Sequence, residues 1–485
     1  LGYGGVAYYM APEAFDINGK GEAKLSALSE QFSLAALLFQ VLTGHYHLQL
    51  SIDKVEACKQ IRAQSSILLH TVVGFEHWHA MSQAFARALS KSPDERFPNV
   101  REFAQALKDC SLSLPPPTPR LSKDKRERVT AVTELALNAF VEASESLRHL
   151  SGESSLMAGT VGSGYLLYRL ALNLGDAKLL GIASLWSDRP WVISEDKSDS
   201  QSSICFGEPG VLTVRAMVAA AAGDIVTFYN SVERLLAIDC SSLKSEDYVF
   251  GIPGILVSLI RVRELANLLV PSLLSKFDKN LNTLKRLSLD CLNTDPAPGA
   301  LIGFSHGRCG LLYSLCQCFR ELLPSEQEQV CRSIHALKNL GVKQDNFLRW
   351  PRKRGGREFL QGWCNGAAGF TLLWLAAFEA TNDEEFLDLA RASVEPMKSI
   401  QPQGVDLCCG LAGQIYALQH VAKVTAQEDL LSLALTSGIA ELEKLNFNPQ
   451  RLSTGLFKGE LGLLVAVTDL LSDQPRPFPF VGVVP

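Results

Sequence analysis

A pair of glycines separated by two residues recurs seven times in the last two thirds of the chain. The pairs begin at Gly159, Gly207, Gly251, Gly307, Gly366, Gly410 and Gly459, so that successive pairs begin 44 to 59 residues apart. Each pair precedes an apolar stretch of helical length, as at residues 311–318, 370–378 and 463–470. Because these stretches are apolar on nearly every side, they predict helices that are buried in an inner layer.

A repeat of this length has room for two helices and two loops, which predicts a helical hairpin. The segments between the apolar stretches are more amphipathic, as in 383–393, and they suit an outer layer. We interpret one glycine of a pair as allowing a turn with positive φ, and the other as letting a helix begin close to its neighbour. Seven hairpins in a closed ring need no capping repeats, so the pattern favours an all-α ring over an open solenoid.

A proline-rich segment marks a domain boundary before the repeats. Four prolines fall within residues 113–120, and the charged run 122–128 follows them. Proline fixes φ and removes a backbone donor, so the segment predicts a stiff linker. We therefore expect a first domain over residues 1–112, a linker over 113–124 and the ring over 125–485.

The composition limits which binding partners and which cellular compartment we expect for this chain. The net charge is −5, basic and acidic residues are mixed along the chain, and no apolar run is long enough to cross a bilayer. Neither nucleic acid nor a membrane is therefore expected as a partner. Twelve cysteines in 485 residues are too sparse for a disulfide framework, which favours the reducing cytoplasm and a thiol or metal site.

Residues with metal-binding or acid–base chemistry stand just before the glycine pairs. His306 and Cys409 directly precede a pair, Cys364 and Cys408 stand two residues before one, and Asp247 stands four residues before the third pair. If the loops are equivalent, these side chains converge at one end of the ring. Three thiols predict a Zn²⁺ site with a fourth position open to substrate, and the histidine and aspartate are candidate general acid–base groups.

Structural roles remain open for each of these residues. Cysteine is often a core residue, as we expect for Cys309, Cys316 and Cys318. An isolated histidine is more often a hydrogen-bonded structural group than a catalyst, and Asp247 could cap the helix that follows.

Three segments of the ring resemble the motifs of lanthionine synthetase C-like cyclases. They are Gly303-Phe-Ser-His-Gly307, Gly362-Trp-Cys-Asn-Gly-Ala-Ala-Gly369 and Leu407-Cys-Cys-Gly-Leu-Ala-Gly413. The resemblance covers about residues 125–485 and implies an α/α toroid of seven helical hairpins. It also implies that cysteine thiols of a peptide add to dehydroalanine or dehydrobutyrine, giving lanthionine or methyllanthionine thioethers.

The same resemblance assigns roles to individual residues. Cys364, Cys408 and Cys409 fall at the Zn²⁺ ligands, while His306 and Asp247 fall at the positions that transfer protons. In the family the third ligand is usually histidine, and this chain has Cys409 in its place. Three thiolates give a Zn²⁺ site a formal charge of −1, whereas two thiolates and a neutral histidine give zero.

The first domain resembles the C-terminal lobe of a protein kinase. Tyr9-Met-Ala-Pro-Glu13 is similar to the end of an activation segment, and Ser92-Pro-Asp-Glu-Arg96-Phe to the segment whose arginine pairs with Glu13. The sequence has no glycine-rich loop, strand lysine, His-Arg-Asp or Asp-Phe-Gly motif. We therefore expect no phosphoryl transfer by this polypeptide, so that ATP and Mg²⁺ would serve only a complete kinase domain in a longer protein.

Together the two resemblances imply a kinase–cyclase fusion of the class III or IV lanthipeptide synthetase type. Its expected partner is a precursor peptide that contains Ser, Thr and Cys. Two alternatives stay open: a toroid that only binds and presents a peptide to the kinase, and a toroid that adds a small thiol such as glutathione to dehydroamino acids.

Overall fold

The computed structural model divides the chain into two compact units, Leu1–Pro117 and Thr118–Val484. It describes residues 7–14, 26–43, 46–48, 59–62, 66–69, 78–111, 124, 127–131, 134, 137–138, 154–157, 159–188, 203–243, 245–344, 347–399, 402–445, 455–470 and 476–481. The proline-rich segment 113–120 and most of the predicted linker lie outside the described residues.

The first unit is helical in its described part. Its helices are α1 (Ala27–Thr43), α2 (His79–Ala88) and α3 (Val100–Ser111). Edge-to-face aromatic contacts connect the three helices: the ring centroid of Phe85 lies 6.0 Å from that of Phe39 and 5.9 Å from that of Phe103. The predicted ion pair is present: Arg96 Nη1 and Nη2 donate to the Glu13 carboxylate at 2.6 and 2.9 Å.

The second unit consists of helical hairpins, and its inner helices begin at the glycine pairs. Gly366 and Gly410, for example, directly precede their helices in extended conformation. These inner helices are α4 (Thr160–Leu174), α6 (Glu208–Ala222), α8 (Ile252–Leu269), α10 (Arg308–Gln317), α12 (Ala367–Thr381), α14 (Leu411–Thr425) and α16 (Leu461–Asp469). In α12 every residue from Ala367 to Ala377 is buried, as expected for a helix that is apolar on all sides.

The outer helices alternate with the inner ones along the chain. They are α5 (Ala177–Ser187), α7 (Ile225–Leu236), α9 (Leu274–Cys291), α11 (Pro324–Lys338), α13 (Glu384–Val394) and α15 (Glu428–Lys444). Each buries one stripe, as α9 does with Phe277, Leu281, Leu284 and Ser288. A two-stranded antiparallel hairpin, β1 (Val342–Gln344) with β2 (Phe347–Arg349), follows α11 and pairs Val342 with Arg349.

The second glycine of a pair permits close approach of two backbones. A Cβ on Gly369 would lie 2.2 Å from the carbonyl oxygen of Trp363, and one on Gly310 would lie 2.1 Å from that of Phe304. The interpretation of this glycine was therefore right. The prediction of positive φ was wrong, because the first glycines that cap helices have negative, extended φ, as at Gly307 with −160°.

Among the helix caps, positive φ occurs instead at the opposite end of the hairpins. Inner helices α4, α6, α12 and α14 end at a left-handed residue: Gly175, Gly223, Asn382 and Ala426. Three of these residues precede an aspartate that caps the outer helix, as Asp224 does by accepting from the Thr227 amide at 3.0 Å. The two ends of the hairpins thus use glycine for different physical reasons.

The first and last inner helices are joined by a buried polar cluster. Arg169 of α4 donates to Asp469 of α16, and the two side chains are 1% and 0% exposed. The Tyr416 hydroxyl donates to the same carboxylate at 2.5 Å. Because the charges are paired and hydrogen-bonded, their burial is tolerated. The cluster links repeats that are about 300 residues apart in the sequence.

Residues 476–481 pack against the inner layer. The Phe480 amide donates to the Tyr165 hydroxyl at 3.0 Å, and the hydroxyls of Tyr248 and Tyr313 donate to the carbonyls of Phe480 and Val481, each at 3.4 Å. These contacts tie one short segment to three different repeats.

Candidate active site

The loops that precede the inner helices form a closed circle of backbone hydrogen bonds. Each loop donates an amide to the carbonyl of the next loop, and the seventh loop returns to the first. The donors and acceptors are Leu156 to Cys205 (2.9 Å), Ile204 to Val249 (3.2 Å), Tyr248 to Ser305 (3.0 Å), Ser305 to Cys364 (2.8 Å), Cys364 to Cys408 (3.0 Å), Cys408 to Phe457 (3.0 Å) and Phe457 to Met157 (3.3 Å). We call this circle the loop belt. It places register-equivalent residues side by side, however far apart they are in sequence.

Three thiols lie together on the loop belt. The Sγ atoms of Cys364 and Cys408 each lie 3.5 Å from that of Cys409, and all three atoms are within 4.8 Å of one another. Cys364 and Cys408 are buried, and Cys409 is half-buried. The structure thus brings the three predicted ligands into one cluster.

This cluster fits a tetrahedral metal. Zn–S bonds of about 2.3 Å in tetrahedral geometry separate the sulfur atoms by about 3.8 Å, close to the spacings observed. Thiolates also suit Zn²⁺ chemically. Cys364, Cys408 and Cys409 would therefore hold Zn²⁺ as three of four ligands.

Charged groups surround Cys409. Asp406 Oδ1 accepts the Cys409 amide at 2.7 Å, and Lys458 Nζ donates to its Sγ at 3.2 Å. Contacts with the thiols of Cys364 and Cys408, together with Lys458, lower the pKa of Cys409. The half-buried thiol is therefore held by a backbone turn on one side and an ammonium group on the other.

A histidine and an aspartate form a second pair on the loop belt. His306 Nδ1 lies 2.8 Å from Asp247 Oδ2, while the other carboxylate oxygen accepts the amides of Val249 and Phe250 at 2.8 and 2.9 Å. Asp247 therefore caps the turn 248–250 and not the following helix, whose N-cap is Gly251, and it also holds the imidazole. With Nδ1 engaged, Nε2 is the ring nitrogen that remains to exchange protons.

Two aromatic rings extend from this pair. The imidazole of His306 stacks on Phe250 with ring centroids 6.2 Å apart, and Phe250 stacks on Phe206 at 5.5 Å. All three residues stand directly before a glycine pair. The stack therefore contacts the face of the imidazole ring, whereas the Asp247 carboxylate contacts its Nδ1, and the two contacts together orient the ring.

The register rule also identifies a residue that the sequence reading missed. Lys458 stands directly before Gly459, in the same register as His306 and Cys409. A single lysine in a loop gives no chemical signal by itself, but its register was readable. By contrast, burial raises the pKa of Cys309, Cys316 and Cys318, which pack in the core as predicted.

A second group of potential ligand atoms lies in the outer layer. His335, Asp383 and Glu385 approach one another within 4.8 Å, but Lys338 already pairs with Glu385 and the two carboxylates are exposed. The thiol cluster therefore has the stronger case for a metal.

The fold and this thiol-bearing loop belt define a helical toroid, and known structures share the architecture. Nisin cyclase superposes with a TM-score of 0.54 at 14% sequence identity, over 71% of this chain and 95% of that one. The predicted all-α toroid is thereby confirmed.

The sequence places the chain in a family. The model described as Lanthionine synthetase C-like protein matches residues 150–483, so the chain belongs to that family. Glutathione S-transferase LANCL1 of Danio rerio is 25% identical over 189 residues, which cover 37% of this chain and 45% of that protein. The chain thus spans less than half the length of this curated relative.

Among the helices of the described residues, none is long and apolar enough to cross a membrane. The kinase-like character of the first unit stays a prediction.

Proposed function

We propose that the toroid is a zinc-dependent cyclase that adds a cysteine thiol of a peptide to a dehydroalanine or dehydrobutyrine. The observation that carries the proposal is the loop belt, which holds both a three-thiol metal cluster and a histidine–aspartate pair. A Zn²⁺ ion held there would lower the pKa of a substrate thiol and so favour the nucleophilic thiolate at neutral pH.

His306 and Asp247 supply the proton chemistry of the proposed reaction. The thiolate sulfur bonds to the β-carbon of the dehydroamino acid, the C=C π electrons move toward the carbonyl oxygen, and the α-carbon then takes a proton. His306 Nε2 is the atom that delivers this proton, and the Asp247 carboxylate stabilises the imidazolium that precedes delivery. The substrate thiol loses one proton and the α-carbon gains one, so the reaction needs no further reactant.

Metal analysis followed by a cyclisation assay tests the proposal. We expect one zinc per chain, and loss of free thiol without change of mass when a dehydrated, cysteine-containing peptide is added. Zinc binding without any thiol addition would instead support the alternative of a peptide-binding, regulatory toroid.

A second candidate is the addition of a small thiol to dehydroamino acids. It is favoured by the relative named as a glutathione S-transferase. A dehydrated peptide without cysteine, incubated with glutathione, separates the two candidates: a mass gain of one glutathione is expected only if small thiols reach the site.

The first unit is proposed to be a kinase-like C-terminal lobe in a kinase–cyclase fusion. Its support is the paired Arg96–Glu13 geometry, which the Ser29 hydroxyl reinforces by donating to Glu13 at 3.0 Å. We expect no phosphopeptide when this polypeptide is incubated with ATP and Mg²⁺. Mass spectrometry of a Ser/Thr-containing precursor peptide checks this, and phosphorylation by the 485-residue chain would contradict it.

A cytoplasmic location is proposed on the same chemistry. The cysteines in the described residues form no disulfide, as expected in a reducing compartment.

A further inference from the structure

The seventh loop contacts the thiol cluster in two ways. The Phe457 carbonyl accepts the Cys408 amide at 3.0 Å, which fixes the backbone of one ligand. The next residue, Lys458, places its ammonium 3.2 Å from the Sγ of another ligand, Cys409. One loop that provides no ligand of its own therefore holds two of the three.

The charge of the cluster gives this contact a role. Three thiolates around Zn²⁺ leave a formal charge of −1, and a substrate thiolate would make it −2. An ammonium beside one sulfur brings these charges to zero and −1, the values that two thiolates and a neutral histidine would give. A charge-assisted N–H···S contact also fixes the direction of the sulfur lone pairs.

We propose that Lys458 is a positioning residue whose positive charge compensates the negative charge of the third thiolate, Cys409. With a neutral histidine in place of Cys409, the site would not need this compensation. The inference rests on the proposed zinc site. It predicts a thermodynamic coupling between Lys458 and Cys409 that no purely structural role would produce.

Metal affinity in a double-mutant cycle tests the coupling. The variants are K458Q, K458R, C409H and C409H/K458Q, each loaded with Zn²⁺ and titrated against a chromophoric chelator. Outer-shell partners of metal ligands typically change affinity by about 10- to 100-fold, and this is the loss expected for K458Q. K458R keeps the charge, and its zinc affinity is expected to fall by less than about threefold. Adding K458Q to C409H is likewise expected to lower zinc affinity by less than about threefold.

Two controls separate charge compensation from other causes. Lys178 lies on α5, one inner-helix length or about 22 Å along the axis from the loop belt, so that K178Q changes the net charge equally without touching the site. Loading with Co²⁺ reports the number of thiolate ligands through charge-transfer absorption. Its intensity is expected to be unchanged in K458Q, which shows that the cluster is still folded.

The measured zinc affinities distinguish the inference about Lys458 from the proposed function. Equal losses from K458Q in both backgrounds, or no loss in the Cys409 background, would overturn the inference. A loss in K458R as large as that in K458Q would overturn it as well, since the charge is kept. If the unsubstituted chain holds no zinc, the proposed function itself fails; if it holds zinc and K458Q holds it equally well, only the role of Lys458 is wrong.

Discussion

The two ends of the toroid are built with the same residue type for opposite reasons. At the loop belt, the first glycines of the pairs that cap helices have negative φ, and the second glycines have no space for a side chain: a Cβ on Gly413 would lie 2.5 Å from the Leu407 carbonyl oxygen. At the turn end, Gly175 and Gly223 have φ of 66° and 73°, and nothing lies within 4 Å of an added Cβ. The paired glycines at the loop belt are required for close contact, and Gly175 and Gly223 at the turn end for conformation.

The candidate functional side chains lie at the loop belt, whereas the residues of the turn end serve only the folding of the hairpins. Close backbone contact at the loop belt allows the seven loops to hydrogen-bond to one another, and the side chains that could hold metal or move protons lie there. The turn end contains left-handed caps and helix-capping aspartates, which serve the hairpins alone. Substitutions at the two ends should therefore have different consequences for activity and stability.

The largest effect should follow from removing a thiol of the loop belt. Cys364→Ala leaves two of three ligands, so bound zinc is expected to fall to background and thiol addition by on the order of 10³-fold. Metal analysis and the cyclisation rate measure this. Cys331→Ala, which removes a half-buried thiol from the outer helix α11, should change neither quantity. Full activity in Cys364→Ala would show that the cluster is not the site.

Two aspartates compare the ends directly. Asp247→Asn keeps an oxygen that accepts the Val249 amide but loses the charge beside His306, so kcat is expected to fall by about 100-fold or more with zinc content unchanged. Asp224→Asn makes the same change at the turn end, where the side chain only caps α7. Its kcat should equal that of the unsubstituted protein, and a loss there would break the comparison.

Two alanine substitutions compare the glycines. Gly369→Ala forces a Cβ against the backbone of Trp363, and we expect a loss of about 3 kcal/mol in the free energy of unfolding. Gly223→Ala meets no atom and costs only the left-handed conformation, about 1 kcal/mol. Urea unfolding followed by tryptophan fluorescence compares them. Equal losses would mean that close backbone approach does not distinguish the two ends.

The smallest effect should be a gain in stability. Ala426 occupies the left-handed cap of α14 at φ 55°, where α4, α6 and α12 have glycine or asparagine. Ala426→Gly is expected to raise the free energy of unfolding by about 0.5–1 kcal/mol without changing kcat. The same urea titration detects this, and a loss of stability would show that Ala426 is not strained.

Much of this organisation could be predicted because the glycine pairs mark one register. That register placed Cys364, Cys408 and Cys409 together before any distance was known. Lys458 occupies the same register but was not recognised, because an exposed lysine carries no chemical signal of its own in sequence. Nor did the register reveal the contacts of residues 476–481, since a short segment without periodicity packs according to the surface it meets.

The prediction of positive φ at one glycine of each pair was wrong for a related reason. Glycine in a sequence reports a backbone requirement but does not say whether space or conformation imposes it. Only the neighbouring carbonyl of Gly369, or the open surroundings of Gly223, distinguishes the two.

Closure of the loop belt has a consequence for how the molecule can be shortened. In an open solenoid each repeat depends on its nearest neighbours, so removing a terminal repeat leaves a smaller stable protein. Here Phe457 bonds to Met157, and Asp469 to Arg169, so the last repeat is also the neighbour of the first. Removal of any repeat exposes two interfaces at once, which makes the toroid a single cooperative unit of fixed size.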